Sequence, residues 1–300
     1  MSLLSIVIPY YKLTFFEETL KSLALQTDKR FKVYIGNDAS PEDPSQLLEK
    51  YKSKFDFKYH KFETNLGGTS LVKQWERCMK LTADEEWLMI LGDDDVLADN
   101  CVAAFYENLE EIQNLKISTI RFSTKVIDSQ GAFISNNYIH PKIEKATDFL
   151  IRKFKGGTRS SLSEYVFKRK SIETFRFKDF PLAWNSDLLA VLEFSEWKNI
   201  FTINEAQVFF RLSGLNITSK NDDVVVKNNA TFQFYSYMLE KQSKQLSHEV
   251  IIILFEKLEK TILDNKKNTI YWMKLFYLYI KFFKINRFLT LGSKIKKSIK

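Results

Sequence analysis

Only two of the 300 residues are cysteine, only three are histidine, and no glycine-rich phosphate-binding signature occurs in the chain. Cys78 and Cys101 form no CxxC pair and no disulfide framework, so stability has to come from a packed core. Two reduced, buried thiols suit a reducing compartment. His60, His140 and His248 lie far apart without metal-ligand spacing, which leaves them structural roles. Neither GxGxxG nor a Walker A loop is present, so the dinucleotide fingerprint and the P-loop are both excluded. There is no internal repeat and no low-complexity segment. No basic region precedes the opening run Leu3-Leu4-Ser5-Ile6-Val7-Ile8 and no cleavage site follows it. That run reads as a first strand rather than a signal peptide.

Hydrophobic residues make up 45% of the chain and charged residues 27%, the balance of a globular protein with ample material for a core. The net charge of +8 is uneven. Residues 265–300 hold ten Lys or Arg and no acid, which leaves −2 on residues 1–264. The body is near neutral and the tail is a basic appendage, so the overall pI does not argue for nucleic-acid binding.

The first hundred residues alternate strand and helix patterns. Ser5–Pro9, Phe31–Gly36 and Phe57–Phe62 read as strands, and Phe15–Gln26, Pro44–Lys54 and Ser70–Leu81 as amphipathic helices. Such alternation predicts βαβ units and a mainly parallel sheet. Farther on, the pattern predicts a helix from Asn100 to Ile112 and a strand from Ile117 to Ile127. A strand at Glu164–Phe167, a helix through Glu193 after Trp184-Asn185-Ser186-Asp187, and a last strand from Ile200 to Arg211 follow. Beyond Asp222 the chain reads as helical.

The feature with the strongest electrostatic demand is Trp87-Leu88-Met89-Ile90-Leu91-Gly92-Asp93-Asp94-Asp95. A short apolar strand ends in three consecutive carboxylates, which places them at a sheet's carboxyl edge, the usual ligand crevice of open α/β folds. Three like charges need a cation, and a divalent metal shared with substrate phosphates would supply it. An EF-hand does not fit: Ala98 stands where that loop requires Gly, and no Glu closes it.

Five elements in order, Ser5–Tyr11, Leu20–Thr27, Asn37-Asp38-Ala39-Ser40, Asn65-Leu66-Gly67-Gly68 and Gly92-Asp93-Asp94-Asp95, give the sequence a specific likeness. Over residues 1–220 it resembles the inverting family-2 glycosyltransferases of GT-A fold. The resemblance implies a Rossmann-like nucleotide-binding α/β domain over 1–222, with a nucleotide-sugar half (1–100) and an acceptor half (101–222). A helical basic region, 223–300, follows it. It also implies roles. Pro9 and Tyr11 belong to the nucleotide site, Tyr11 stacking on the base. Asp38 accepts from the base, which favours uracil and UDP because uracil N3 is a donor. Asp95 is the direct Mn²⁺ or Mg²⁺ ligand, while Asp93 and Asp94 serve the ribose, the metal or its water. Asp187 is the general base, with the alternative of a helix N-terminal acid. Arg211 is placed to pair with phosphate oxygens. Lys73 is a further phosphate candidate, with a solvated lysine as the alternative, and Arg159 and Trp184 are acceptor candidates, Trp184 with the alternative of a core residue. Two departures stand out: Asn37 replaces the usual first Asp of its pair, and Ser213 stands where the family often has a metal-ligating His.

Ile270–Leu289 contains eight aromatic residues interrupted by Lys274, Lys281, Lys284 and Arg287. Four central charges, at roughly 2.5–3.5 kcal/mol each, argue against a transmembrane helix. A basic amphipathic helix on an anionic membrane surface and a helix packed on the catalytic domain are both open. The expected activity is transfer of a sugar from a nucleotide donor to a glycan or lipid-linked acceptor for a surface polysaccharide. The expected place is the cytoplasm, including the inner membrane face, with no nucleic-acid partner. A non-catalytic nucleotide- or glycan-binding protein on a transferase scaffold is the alternative, and a nucleotidyltransferase a third reading.

Overall fold

The β-branched run near the N-terminus forms the middle of the sheet. Leu4–Tyr10 (β1) buries Ile6, Val7 and Ile8 completely. The computed structural model describes residues 3–219 and 223–298. Its remaining strands are β2 (Phe31–Asn37), β3 (Phe57–Lys61), β4 (Trp87–Ile90), β5 (Val96–Leu97), β6 (Thr119–Ile127), β7 (Ile143–Lys145), β8 (Tyr165–Lys168) and β9 (Asn199–Arg211). Alternating with them are α1 (Phe16–Ala24), α2 (Ser45–Tyr51), α3 (Leu71–Met79), α4 (Cys101–Asn114), α5 (Ala146–Phe154), α6 (Arg169–Phe175) and α7 (Ser186–Phe194).

β3, β2, β1 and β4 run parallel, with Ile6 opposite both Val33 and Met89. Strands covered on both faces by crossover helices need continuous apolar runs, which is why β1 and β4 lack polar alternation. Past β4 the sense changes: β8 is antiparallel to β4 and to β6, while β9 runs parallel to β6. The order is β3-β2-β1-β4-β8-β6-β9-β5, with β7 also paired to β9. The chain is an α/β fold of the expected kind. A bulge between Phe122 and Ser123 offsets the β6–β9 register, and the Ser123 hydroxyl donates to the carbonyls of Asn204 and Ala206 that it exposes.

Local chemistry sets the ends of several elements. α1 stops at Ala24, short of the expected Gln26, because Gln26 is used elsewhere. Its amide donates to the Ala98 carbonyl at 2.7 Å and accepts from the Val102 N–H at 3.0 Å, fixing the start of α4. Four elements carried no readable pattern. β5 has two residues and β7 three, and α6 is a seven-residue helix. α5 follows β7 directly, with Lys145 in extended backbone at its start and no side-chain cap to announce it.

Two compact units divide the chain, Met1–Asp223 and Val224–Lys300. The second contains α8 (Val224–Lys241), α9 (His248–Leu263), α10 (Thr269–Lys281) and α11 (Ile285–Ser298). Phe232 stacks on Tyr271 at 3.7 Å and Phe255 on Tyr279 at 5.1 Å, so Tyr271 and Tyr279 of α10 help fill this unit's own core. The expected single helix over 270–289 is two, broken at Phe283, where φ is 54°. Three of the four charges are engaged within the unit. Lys274 pairs with Glu240, Lys281 donates to the Glu240 carbonyl, and Arg287 pairs with Glu259.

Gly36 lies where β2 meets α3, and a Cβ there would stand 2.3 Å from the buried Cys78 Sγ. Gly36→Ala should therefore cost about 1–3 kcal/mol by overpacking. Cys78→Ala should restore part of that loss in urea unfolding of the double variant.

Candidate active site

β4 ends at Ile90, and Leu91-Gly92-Asp93-Asp94 turns the chain into β5. The three acids consequently face different surroundings instead of lining one strand tip. Asp93 Oδ2 accepts from the backbone N–H groups of Tyr11 at 2.7 Å and Lys12 at 2.8 Å, fastening the loop after β1. Asp95 is drawn inward to 3% exposure, where Oδ1 accepts from the Arg211 N–H at 2.9 Å. The Ser163 hydroxyl also hydrogen-bonds the Asp95 carboxylate, and it accepts from the Gly92 N–H at 3.0 Å. Among the described residues, no group donates to the Asp94 carboxylate. Gly92 makes this crowding feasible: a Cβ there would lie 3.0 Å from Asp94 Oδ1 and 3.1 Å from Asp95 Oδ2.

Burial raises the pKa of all three acids. Backbone donors from Lys12 and Tyr11 oppose the rise at Asp93; Ser163, the Arg211 N–H and the charge of Arg159 oppose it at Asp95. Asp94 has only the charges of Lys12 and Arg211 against it and is pushed up to about 8 by burial and by its two neighbours.

Arg211 does not present its guanidinium as a free phosphate contact, contrary to the sequence expectation. It is fully buried and holds the turn together. Nε donates to the Asp94 carbonyl at 2.9 Å, Nη1 to the Asp128 carbonyl at 3.0 Å, and Nη2 to Glu18 at 2.6 Å. Lys12 is a further cation near the acids, and its ammonium donates to the Leu215 carbonyl, which ties the 212–219 segment to the loop after β1. Ser213 accepts from the Leu215 N–H at 3.2 Å within its own turn.

Across the cleft, Asp38 is 4% exposed and closes the 64–68 loop. It accepts from the N–H groups of Leu66 at 2.7 Å and Gly67 at 2.8 Å, and from Arg77. Arg77 itself lies over the Phe62 ring at 3.9 Å. Three donors on a carboxylate leave one acceptor position. Asn37 at the end of β2 accepts from the Ser40 N–H and donates to the Tyr59 hydroxyl, both at 2.8 Å. An amide serves both needs, which accounts for Asn in place of an acid. Tyr11 is 38% exposed at this edge, Pro9 pairs with Gly36 in the sheet, and Lys73 is exposed on α3.

Asp187 is the second residue of α7. Leu182, Ala183 and Asn185 just before it all have positive φ, 57°, 52° and 68°, in a turn that also holds Trp184. Such strain, about 1–3 kcal/mol per residue, persists where neighbours over-determine it and clusters at functional sites. Burial raises the Asp187 carboxyl, opposed by Lys153, by the N–H groups of Leu188 and Asp187, and by Arg159. Arg159 also acts on Asp95, so one guanidinium lies within electrostatic range of both acids. It is held by the buried Glu164 at 3.2 Å and lies over Phe210 at 4.2 Å. Ser161 and Glu164 form a capping box that sets Ser163 beside Asp95. Its Ser-x-x-Glu spacing is a readable signal for this turn. Arg77 and Lys12 have no comparable signature. Trp75 is core, edge-on to Phe177 at 5.4 Å.

Among the described residues, no three His, Cys, Asp or Glu side chains form a metal cage. The donor set does fit a hard divalent ion brought with a diphosphate, since such ions take one or two carboxylates plus substrate oxygens and water. Asp94, without a donor, and Asp95 are the residues that would hold it.

The profile of "Glycosyl transferase family 2" matches residues 5–169, more than half of the chain. The chain belongs to glycosyl transferase family 2. No curated protein matches this glycosyltransferase in a direct search. Its structure is similar to the crystal structure of S. aureus TarS 1–349 in complex with UDP-GlcNAc, at TM-score 0.64 and 15% identity, covering 98% of this chain and 92% of that one. The same fragment in complex with UDP matches at TM-score 0.57 and 16% identity, covering 98% and 91%. A longer TarS chain matches at 0.60 and 17%, covering 86% of this enzyme and 43% of that chain. The shared architecture is the GT-A fold.

Two stability measurements probe the site. The folded value of Asp94, about 8, lies above its unfolded value of roughly 4, so the folded state penalises ionisation. That penalty is absent below about pH 4 and grows as pH rises toward 8. In chelator-treated protein, Asp94→Asn should gain about 1 kcal/mol or more at neutral pH, and the gain should vanish near pH 4. Arg211→Met removes the donor from two backbone carbonyls and should cost about 2 kcal/mol or more in urea unfolding. A free phosphate ligand would leave stability unchanged.

Proposed function

We propose that this glycosyltransferase moves a sugar from a UDP-linked donor to a hydroxyl of a glycan or lipid-linked acceptor, with inversion, using Mn²⁺ or Mg²⁺. The observation that carries the reading is the cleft edge where the exposed Tyr11 ring, Asp38 and the unpartnered Asp94 meet the carboxyl ends of β1, β2 and β4. The TarS fragment of the same fold was crystallised with UDP-GlcNAc and with UDP, which supports a uridine donor. Tyr11 stacks on the base, beside Pro9, and the last acceptor position of Asp38 takes the uracil N3–H. Asp93 keeps the Tyr11–Lys12 backbone in place next to the ribose. Lys12 and Lys73 are the cations available to the diphosphate, with Arg211 bracing the turn beneath. When bound, the divalent ion supplies Lewis-acid neutralisation of the departing diphosphate.

Asp187 accepts the acceptor hydroxyl proton as that oxygen attacks the anomeric carbon. The bond from that carbon to the phosphate oxygen breaks, and UDP leaves with the electron pair. Burial suits the base role, because a carboxylate with a raised pKa binds the proton more readily. Arg159 and Trp184 flank Asp187 on the acceptor side. The two free, buried thiols fit a reducing, cytoplasmic compartment. A surface polysaccharide is the acceptor class we assign to the reaction.

Asp187→Asn should lower transfer by about 10²–10⁴-fold while leaving UDP affinity unchanged. In the parent enzyme the acid limb of kcat/KM should lie above the ordinary carboxylate value of about 4, because Asp187 must be deprotonated to act. Tyr11→Ala should weaken UDP binding by about tenfold or more, read by calorimetry. A thermal-shift panel of UDP-, GDP- and dTDP-sugars with Mn²⁺ tests the donor. Stabilisation by GDP- or dTDP-sugars alone would overturn the uridine assignment.

A further inference from the structure

α10 is apolar on both faces. Tyr271, Leu275, Leu278 and Tyr279 are buried in the helical unit. On the opposite side Ile270, Met273, Phe276, Tyr277 and Ile280 are each 44–66% exposed. Phe283, in the turn before α11, is 97% exposed. A helix that is apolar all round belongs in a core or against lipid. With 13 residues α10 is about 20 Å long, short of the roughly 30 Å of a bilayer's hydrocarbon layer. No described helix is long and apolar enough to cross a membrane. A face of this kind is suited to lying along a surface.

The charges around the face select the surface. Residues 224–300 hold fifteen Lys or Arg against five acids. Lys266 and Lys267 precede α10 beside an open hollow of about 630 Å³, which Asp264 also lines. The Trp272 indole N–H donates to the Lys266 carbonyl at 2.9 Å and holds that loop to the helix. Lys281 and Lys284 stand at the other end, on either side of the Phe282-Phe283 turn. Of the neighbouring acids, Glu240 is occupied by Lys274 and Glu259 by Tyr279 and Arg287, which leaves Asp264 against the two lysines of its loop. A second copy would bring the same basic fringe against itself, whereas anionic headgroups neutralise it.

We propose that the outward face of α10, with Phe283 at its tip, docks on an anionic membrane surface, its terminal lysines meeting the headgroups. The contact is independent of the transfer chemistry.

The test is flotation of the full chain with vesicles containing phosphatidylglycerol and with pure phosphatidylcholine vesicles. The chain should float with the anionic vesicles only, and high salt should weaken the association. Ile280→Glu combined with Phe283→Asn should reduce binding about tenfold or more. The melting temperature should hold, because both positions are exposed and Asn tolerates positive φ. UDP binding by the same samples should not change, which separates failure here from failure of the donor assignment. The proposal is overturned by equal flotation of the double variant or by absence of flotation of the parent chain. It is also overturned by a concentration-dependent dimer that the double variant dissolves without any change in vesicle binding.

Discussion

Three adjacent carboxylates crowded into one buried turn repel one another, and much of the catalytic unit is arranged to tolerate them. Asp93 is discharged onto two backbone N–H groups of the loop after β1. Asp95 is discharged onto the backbone of β9 and onto Ser163. Asp94 has no donor among the described residues and carries the unrelieved part of the repulsion. Asp93 and Asp95 thus fasten different segments, so the turn is a hub joining the loop after β1, β9 and the Ser161–Glu164 turn. Arg211 holds the hub from below through the Asp94 carbonyl. Crowding acids into a buried turn costs stability, the usual exchange for function at active sites.

The opposite wall obeys the same electrostatic logic with a different solution. Asp38 is neutralised by Arg77 and two loop N–H groups, and is rigid because its oxygens are nearly filled. The Asp187 side stores its constraint in the backbone: the residues ahead of α7 sit at positive φ, which sets where the helix starts and where its first carboxylate lies. Glu164 holds Arg159, and Arg159 acts electrostatically on both Asp95 and Asp187. The Asp38 loop, the acid turn and Asp187 are therefore positioned by three separate means within one unit.

Much of this was legible in the residue pattern, for physical reasons. β1, β2 and β4 are doubly covered and so read as plain apolar runs, and α1 and α3 show clear faces. The acid turn announced itself by its charge density. The role of Arg211 was not legible, because a cation near acids suggests a phosphate contact until its three donor bonds are seen. Lys12 and Arg77 were hidden for the opposite reason: isolated basic residues look solvated in sequence. β5, β7 and α6 are too short for any period to register. The tail showed its composition but not its geometry. The break at Phe283 and the pairing of Lys274 and Arg287 depend on folding of the helical unit, which also leaves the apolar face of α10 outward.

In the reaction we propose, the acid turn is half of a cation site and the donor diphosphate is the other half. Calorimetric titration of Mn²⁺ into the protein with and without UDP tests it most directly. The account predicts weak Mn²⁺ binding alone, at least about tenfold tighter binding with UDP, and the same factor for UDP when Mn²⁺ is present. Asp94→Asn should abolish the coupling. Mn²⁺ affinity that is indifferent to UDP, or coupling that survives in Asp94→Asn, would contradict it.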